Sequence, residues 1–152
     1  IEQEIGGCLD VPFPIRHDGT FNTHVLFIMR GSNPYGYFSV RGNGLDIYTN
    51  ADTQESMRGS WSLRQADHSI TDNGDGTITI VGNLHSRTAY HSPSGALIGI
   101  DSGRATATWV IDTNGTPEPE DDALVSENVG ELTGASRLDG RDLCDLALEY
   151  LS

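Results

Sequence analysis

The chain has no lysine. Among its 152 residues all nine basic side chains are arginines, set against 22 acids for a formal net charge of −13. The arginines are scattered along the sequence and form no basic stripe, and a surface this negative repels phosphate backbones and anionic lipid headgroups. Nucleic-acid partners and peripheral membrane roles are therefore not expected. Long hydrophobic runs are missing too: the longest, Val25 to Met29, falls far short of the ~18 residues a membrane span needs. That argues against membrane insertion and predicts a soluble protein. Cysteine is nearly absent, and Cys8 and Cys144 are too far apart for a CxxC redox or zinc motif.

What is present points to one all-β domain spanning residues 1–152. Hydrophobic residues make up 36% of the chain and there are 18 glycines, a profile of short elements joined by tight turns rather than of long helices. Cys8 and Cys144 read as a terminal disulfide, the alternative being two free thiols; closing so long a loop stabilises a fold by up to ~4 to 5 kcal/mol. The first residue is Ile1 rather than methionine, as in a mature secreted protein after cleavage.

Strand signals recur along the chain. Val25 to Met29 reads as a central strand buried on both faces. Phe38 and Val40 alternate with polar neighbours, Asn43-Gly44 follows, and Leu45, Ile47 and Thr49 alternate again, which predicts a hairpin with its turn at Asn43-Gly44. Trp61 and Leu63 mark another strand, Ile70 a shorter one, and Asp72 to Gly76 a turn into Thr77 to Tyr90, read as one long strand or two. Ser92 to Gly95 is a turn. Ala96 to Ile100, Arg104 to Asp112 and about Ala123 to Leu132 complete the set. Leu143, Leu146, Ala147, Tyr150 and Leu151 then recur at helical spacing, with Asp139 or Gly140 available as N-cap. About eight strands joined by sequential hairpins predict an antiparallel barrel, with a two-sheet sandwich as the alternative, closed by a short C-terminal helix.

The stretches Trp109-Val110-Ile111-Asp112, Asn114-Gly115-Thr116-Pro117 with Asp121-Asp122, and Gly140-Arg141-Asp142-Leu143-Cys144, together with the hairpin Asp72 to Thr77, resemble a group of uncharacterised secreted all-β proteins of actinobacteria. The resemblance is mainly in the C-terminal half. It implies secretion to the extracellular side and carries no activity.

Chemistry-bearing residues are sparse. If residues 81–91 form one strand, His85, Arg87 and His91 share a face opposite Leu84 and Tyr90. His85, Arg87, Tyr90 and His91 are then the candidate ligand-binding residues, because histidine beside arginine suits a carbonyl or carboxylate. Asp67 and Asp101 are possible acid partners. Glu118, Glu120, Asp121 and Asp122 crowd one loop with Pro117 and Pro119 and are the candidate calcium ligands, weighed against a solvated acidic turn. Asp72 to Thr77 fails the EF-hand spacing and reads as a hairpin turn. Asn114-Gly115-Thr116 matches a glycosylation acceptor that its turn already explains. No GxSxG elbow, close histidine pair or cofactor motif occurs.

Three functions fit these features. The first is a secreted non-catalytic binding module for a small apolar molecule or a protein partner. The second is a barrel enzyme of the cyclase, isomerase or hydrolase kind, working through His85, His91 or Tyr90. The third is an extracellular self-assembling subunit that pairs with copies of itself.

Overall fold

A computed structural model describes residues 2–4, 8, 10–116 and 118–152; Ile1 and Pro117, both used in the sequence reading, lie outside them. The strands are β1 (Glu2–Glu4), β2 (Ile15–Ile28), β3 (Tyr37–Asn50), β4 (Ser56–Asp72), β5 (Thr77–His91), β6 (Leu97–Asp112) and β7 (Ala123–Val129), followed by the helix α1 (Leu143–Leu151). Each strand pairs antiparallel with the next in sequence order, in one sheet curled into a half-barrel. Among the described residues no second sheet forms and no pairing joins the two outer strands. The all-β class, the sequential hairpins and the C-terminal helix are as the sequence predicts.

The strand count is not. There are six strands of seven residues or more, with the three-residue β1 on one edge, rather than about eight. The main reason is Asn43-Gly44, which is no turn: β3 runs straight through it, with Gly44 opposite Phe21 on one side and Trp61 on the other. A Cβ at Gly44 would stand 2.6 Å from both the Thr20 carbonyl oxygen and the Trp61 ring, and one at Gly82 would stand 2.7 Å from the Trp109 ring. These glycines let indole rings lie on a bending strand; they are not there for turn conformation. The segments around Trp61 and Ile70 are likewise a single strand, β4, which absorbs an irregularity between Asp67 and Ser69.

True turns fall where side chains support them. Between β4 and β5, Asp72 accepts from the Gly74 N–H at 2.8 Å, Asp75 accepts from the Thr77 N–H at 3.0 Å, and Gly74 and Gly76 adopt φ of 78° and 90°. Ser92 to Gly95 closes the next hairpin through a 2.8 Å bond from the Gly95 N–H to the Ser92 carbonyl.

The run Val25 to Met29 is also placed differently from expectation. It ends an edge strand, not a central one. β1 pairs only with Arg16, His17 and Asp18 of β2, so from Gly19 onward the outer edge of β2 has no described neighbour, and Phe21, Val25, Leu26 and Met29 are all more than half exposed.

The core lies at one end of one face. Ile15, Tyr48 and Met57 from the sheet pack with Leu138, Leu146, Ala147 and Leu151. The helix starts at Asp142, not at Asp139 or Gly140: its carboxylate accepts from the Cys144 and Asp145 N–H groups, and Asp145 returns a bond to the Asp142 N–H, a complete capping box. Asp139 and Gly140 instead take positive φ values just before it. Cys8 and Cys144 are disulfide-bonded across 136 residues of sequence. At the far end of the helix the buried Asn50 amide donates to the Leu151 carbonyl at 2.7 Å, so both ends of α1 are tied down. Because register partners share a face, Tyr48, Met57 and Tyr90 mark the face that carries the helix.

Candidate functional site

The opposite face is organised by the same register. His24 of β2 stands opposite Arg41 of β3, Arg41 opposite Arg64 of β4, Arg64 opposite His85 of β5, and His85 opposite Arg104 of β6. Five consecutive strands thus contribute one basic side chain each to a single row perpendicular to the strands. The next row on that face, two residues along each strand, reads Asn22, Asn43, Ser62, Arg87 and Ser102. Arg58, opposite His91, adds to the same face further along. Residues far apart in sequence meet because the hairpins are long and nearly unbroken between β2 and β6. Three of the nine arginines, Arg41, Arg64 and Arg104, thus line up with His24 and His85 in one row, against the expectation of no basic stripe.

Arg41, Arg64, His85 and Arg104 are all exposed. Among the described residues no ion pair or hydrogen bond engages the side chains of Arg41, Arg64, Arg87 or Arg104. Three arginines elsewhere are engaged: Arg16 pairs with Asp18 at 3.1 Å, Arg141 bonds Glu149, and Arg30 lies 4.9 Å from the centre of the Tyr37 ring. Three open grooves adjoin the row. One of about 520 Å³ is bordered by Asn83, His85, Arg104, Thr106 and Glu131; one of about 440 Å³ by Arg41, Ser62, Arg64, His85 and Arg87; and His85 also borders a third of about 460 Å³. Glu131 is the one acid lining these three grooves among the described residues. Chemically the surface offers planar guanidinium forks with free donors, suited to carboxylate, sulfate or phosphate oxygens.

The residues singled out in the sequence divide between the two faces. β5 is unbroken from Thr77 to His91, so His85, Arg87 and His91 share the basic face. Tyr90 lies on the helix-bearing face, half-buried over Gly59 and against the core, and its phenol is pushed up chiefly by burial, then by Asp101 and Asp46. Asp101 sits opposite Thr88 on that same helix-bearing face, away from His85. Asp67 is buried and accepts from the Phe38 N–H at 2.7 Å; burial raises its carboxyl, partly offset by that bond and by Arg30.

In the acidic loop Glu118, Glu120 and Asp121 are exposed. Asp121 is engaged locally, by Thr116 at its carboxylate and by the Asn114 amide at its carbonyl. Asp122 is raised by burial and by its neighbours Asp121 and Asp112. Among the described residues no three His, Cys, Asp or Glu side chains converge as a metal site.

Sequence reasoning missed His24, Arg41, Arg64 and Arg104, whose only signal is the pairing register. It also missed a second cluster, on the helix-bearing face: His17 meets Asp46 at 2.9 Å and stacks on Tyr48 with ring centres 5.0 Å apart. Tyr48 is pushed up by burial and by Asp46. A His–Asp pair can serve as a base, but this one lies against the core and none of the three grooves reaches it.

No protein-family model, curated protein or solved structure matches the chain.

Proposed function

We propose that the protein is a secreted, non-catalytic binding module whose basic row holds an anionic ligand. The observation that carries this reading is the row itself: His24, Arg41, Arg64, His85 and Arg104 aligned across five strands, with arginine side chains that form no ion pair among the described residues. Like charges directly opposite each other weaken a sheet, so placing Arg41 opposite Arg64 brings no structural gain. Bound anions would offset that repulsion. This favours an anionic ligand over the apolar one expected from sequence, because arginine, histidine, hydroxyl and amide side chains border the grooves, with Leu63, Ala105 and Glu131 as the only other non-glycine neighbours among the described residues. The enzymatic reading has less support: Tyr90 and Asp101 lie on the other face, away from His85 and Arg87. The disulfide is compatible with an extracellular setting, as is the lack of any helix long and apolar enough to cross a membrane among the described residues.

The test is thermal unfolding in sulfate against chloride at matched ionic strength, for the wild type and for Arg64→Gln with Arg104→Gln. An anion that binds only the folded state raises its stability by mass action. The wild type should gain more from sulfate than the double variant does; equal gains would refute the reading, since general salt effects act on both alike.

The edge of β2 favours a second reading, a subunit that assembles with its own copies. Phe21, Val25, Leu26 and Met29 are 61, 57, 56 and 56% exposed along an edge that from Gly19 onward has no strand partner among the described residues, and such an edge is a template for another strand. Pairing there would extend the half-barrel across copies.

A further inference from the structure

Resting on the anion-binding reading, we infer that the natural ligand is a linear acidic polysaccharide, bearing carboxylate or sulfate groups, laid across the strands. Length is the first reason. Arg41 and Arg104 are three strand spacings apart, or ~14 Å, and the row from His24 to Arg104 spans ~19 Å. A single small anion touches two neighbouring positions at most, whereas an extended polymer with repeating charges engages the whole row.

The second reason is the composition of the adjoining row. Asn22, Asn43, Ser62 and Ser102 run parallel to the basic row, and the row on its other side reads Leu26, Ser39, Ala66, Asn83 and Thr106, three of them polar. Amides and hydroxyls in ordered ranks beside guanidinium groups match a polymer that alternates hydroxyls with acidic groups. The third reason is what the two rows do not display. Single-stranded nucleic acids are held by aromatic platforms as well as by charge. Trp61, Trp109, Phe38, Tyr48 and Tyr90 all register on the helix-bearing face, and neither row contains a Phe, Tyr or Trp side chain, Tyr37 lying two rows further along the basic face.

The experiment is calorimetric titration of the whole chain with size-defined sulfated and uronate oligosaccharides (di-, tetra- and hexasaccharide), a neutral oligosaccharide of equal length, a single-stranded oligonucleotide of equal charge, and inorganic sulfate. The expected result is at least a tenfold gain in affinity from di- to hexasaccharide in the sulfated or the uronate series, the stronger series identifying the acidic group. Arg41→Gln and Arg104→Gln should each weaken hexasaccharide binding several-fold, and the neutral sugar should not bind. Sulfate binding with no dependence on oligosaccharide length would overturn the polysaccharide inference while leaving the anion site standing. Oligonucleotide binding as tight as the hexasaccharide's would overturn it in favour of a nucleic acid. Loss of every anion, sulfate included, would overturn both this inference and the reading it rests on.

Discussion

Arg64 and His85 face each other across the β4–β5 pair, and His85 faces Arg104 across the next. Opposed cross-strand pairs normally stabilise a sheet through packing or opposite charge, and like charges cost a few tenths to about 1 kcal/mol. Arg41 faces Arg64 with no intervening acid. Replacing Arg64 with threonine, a good strand former, should therefore raise stability in low salt by up to ~1 kcal/mol while weakening anion binding. The gain should shrink as salt screens the repulsion. Urea denaturation at two ionic strengths measures it, and a loss of stability would mean that Arg64 is structural.

Gly44 is a packing position rather than a turn. A Cβ there would meet the Trp61 ring and the Thr20 carbonyl at 2.6 Å, so Gly44→Ala should destabilise the fold by ~1 to 3 kcal/mol through overpacking. Ser62→Ala, on the adjacent strand and the open face, should stay within ~0.5 kcal/mol. Equal effects of the two changes in denaturation would contradict the placement of Trp61.

The Cys8–Cys144 bond closes nearly the whole chain and anchors the first turn of α1. Replacing both cysteines with serine should cost ~2 to 5 kcal/mol, read as a lower denaturation midpoint. It should also loosen Leu146 and Leu151 from the core, visible as faster amide exchange in the helix than in β4 and β5.

Asp67 makes stability depend on pH. Burial raises its carboxyl above the ordinary carboxylate range, against the pull of the Phe38 N–H and Arg30. Between the unfolded and folded values the native state binds more protons, so this group's contribution falls as pH rises through that window and is lowest above it. Asp67→Asn does not titrate there. The stability of Asp67→Asn relative to wild type should therefore increase from pH 4 towards neutrality; a constant or decreasing difference would place the carboxyl in a less buried setting.

The β2 edge has its own test. Leu26 is 56% exposed on an edge with no strand partner among the described residues, and lysine on an edge strand blocks pairing with other chains. Sedimentation of the wild type should show concentration-dependent association that Leu26→Lys abolishes. A wild type that stays monomeric at high concentration would remove the assembly reading.

Much of the architecture is legible in residue patterns, because alternation, turn chemistry at Asp72 to Gly76 and helical spacing after Leu143 are local signals. What local signals do not encode is which backbone atoms approach which rings. Asn43-Gly44 has the composition of a turn, yet Trp61, a strand away, uses the glycine as a seat. Val25 to Met29 has the composition of a buried strand, yet its position past the end of β1 leaves it on the edge. The candidate site was half visible. His85, Arg87 and His91 follow from period-two alternation within one strand. Arg41, Arg64 and Arg104 join them only through the long-range register of three hairpins, which no single segment of sequence reveals.

The most direct measurement follows the five imidazoles by NMR during titration with sulfate and then with an acidic hexasaccharide. His24 and His85 lie in the basic row and His91 on the same face, while His17 is paired with Asp46 on the helix-bearing face and serves as an internal control. Saturable shifts are expected at His24 and His85, a smaller one at His91 and none at His17. Shifts of equal size at His17 and His85, or none at His85, would contradict an anion site on this face.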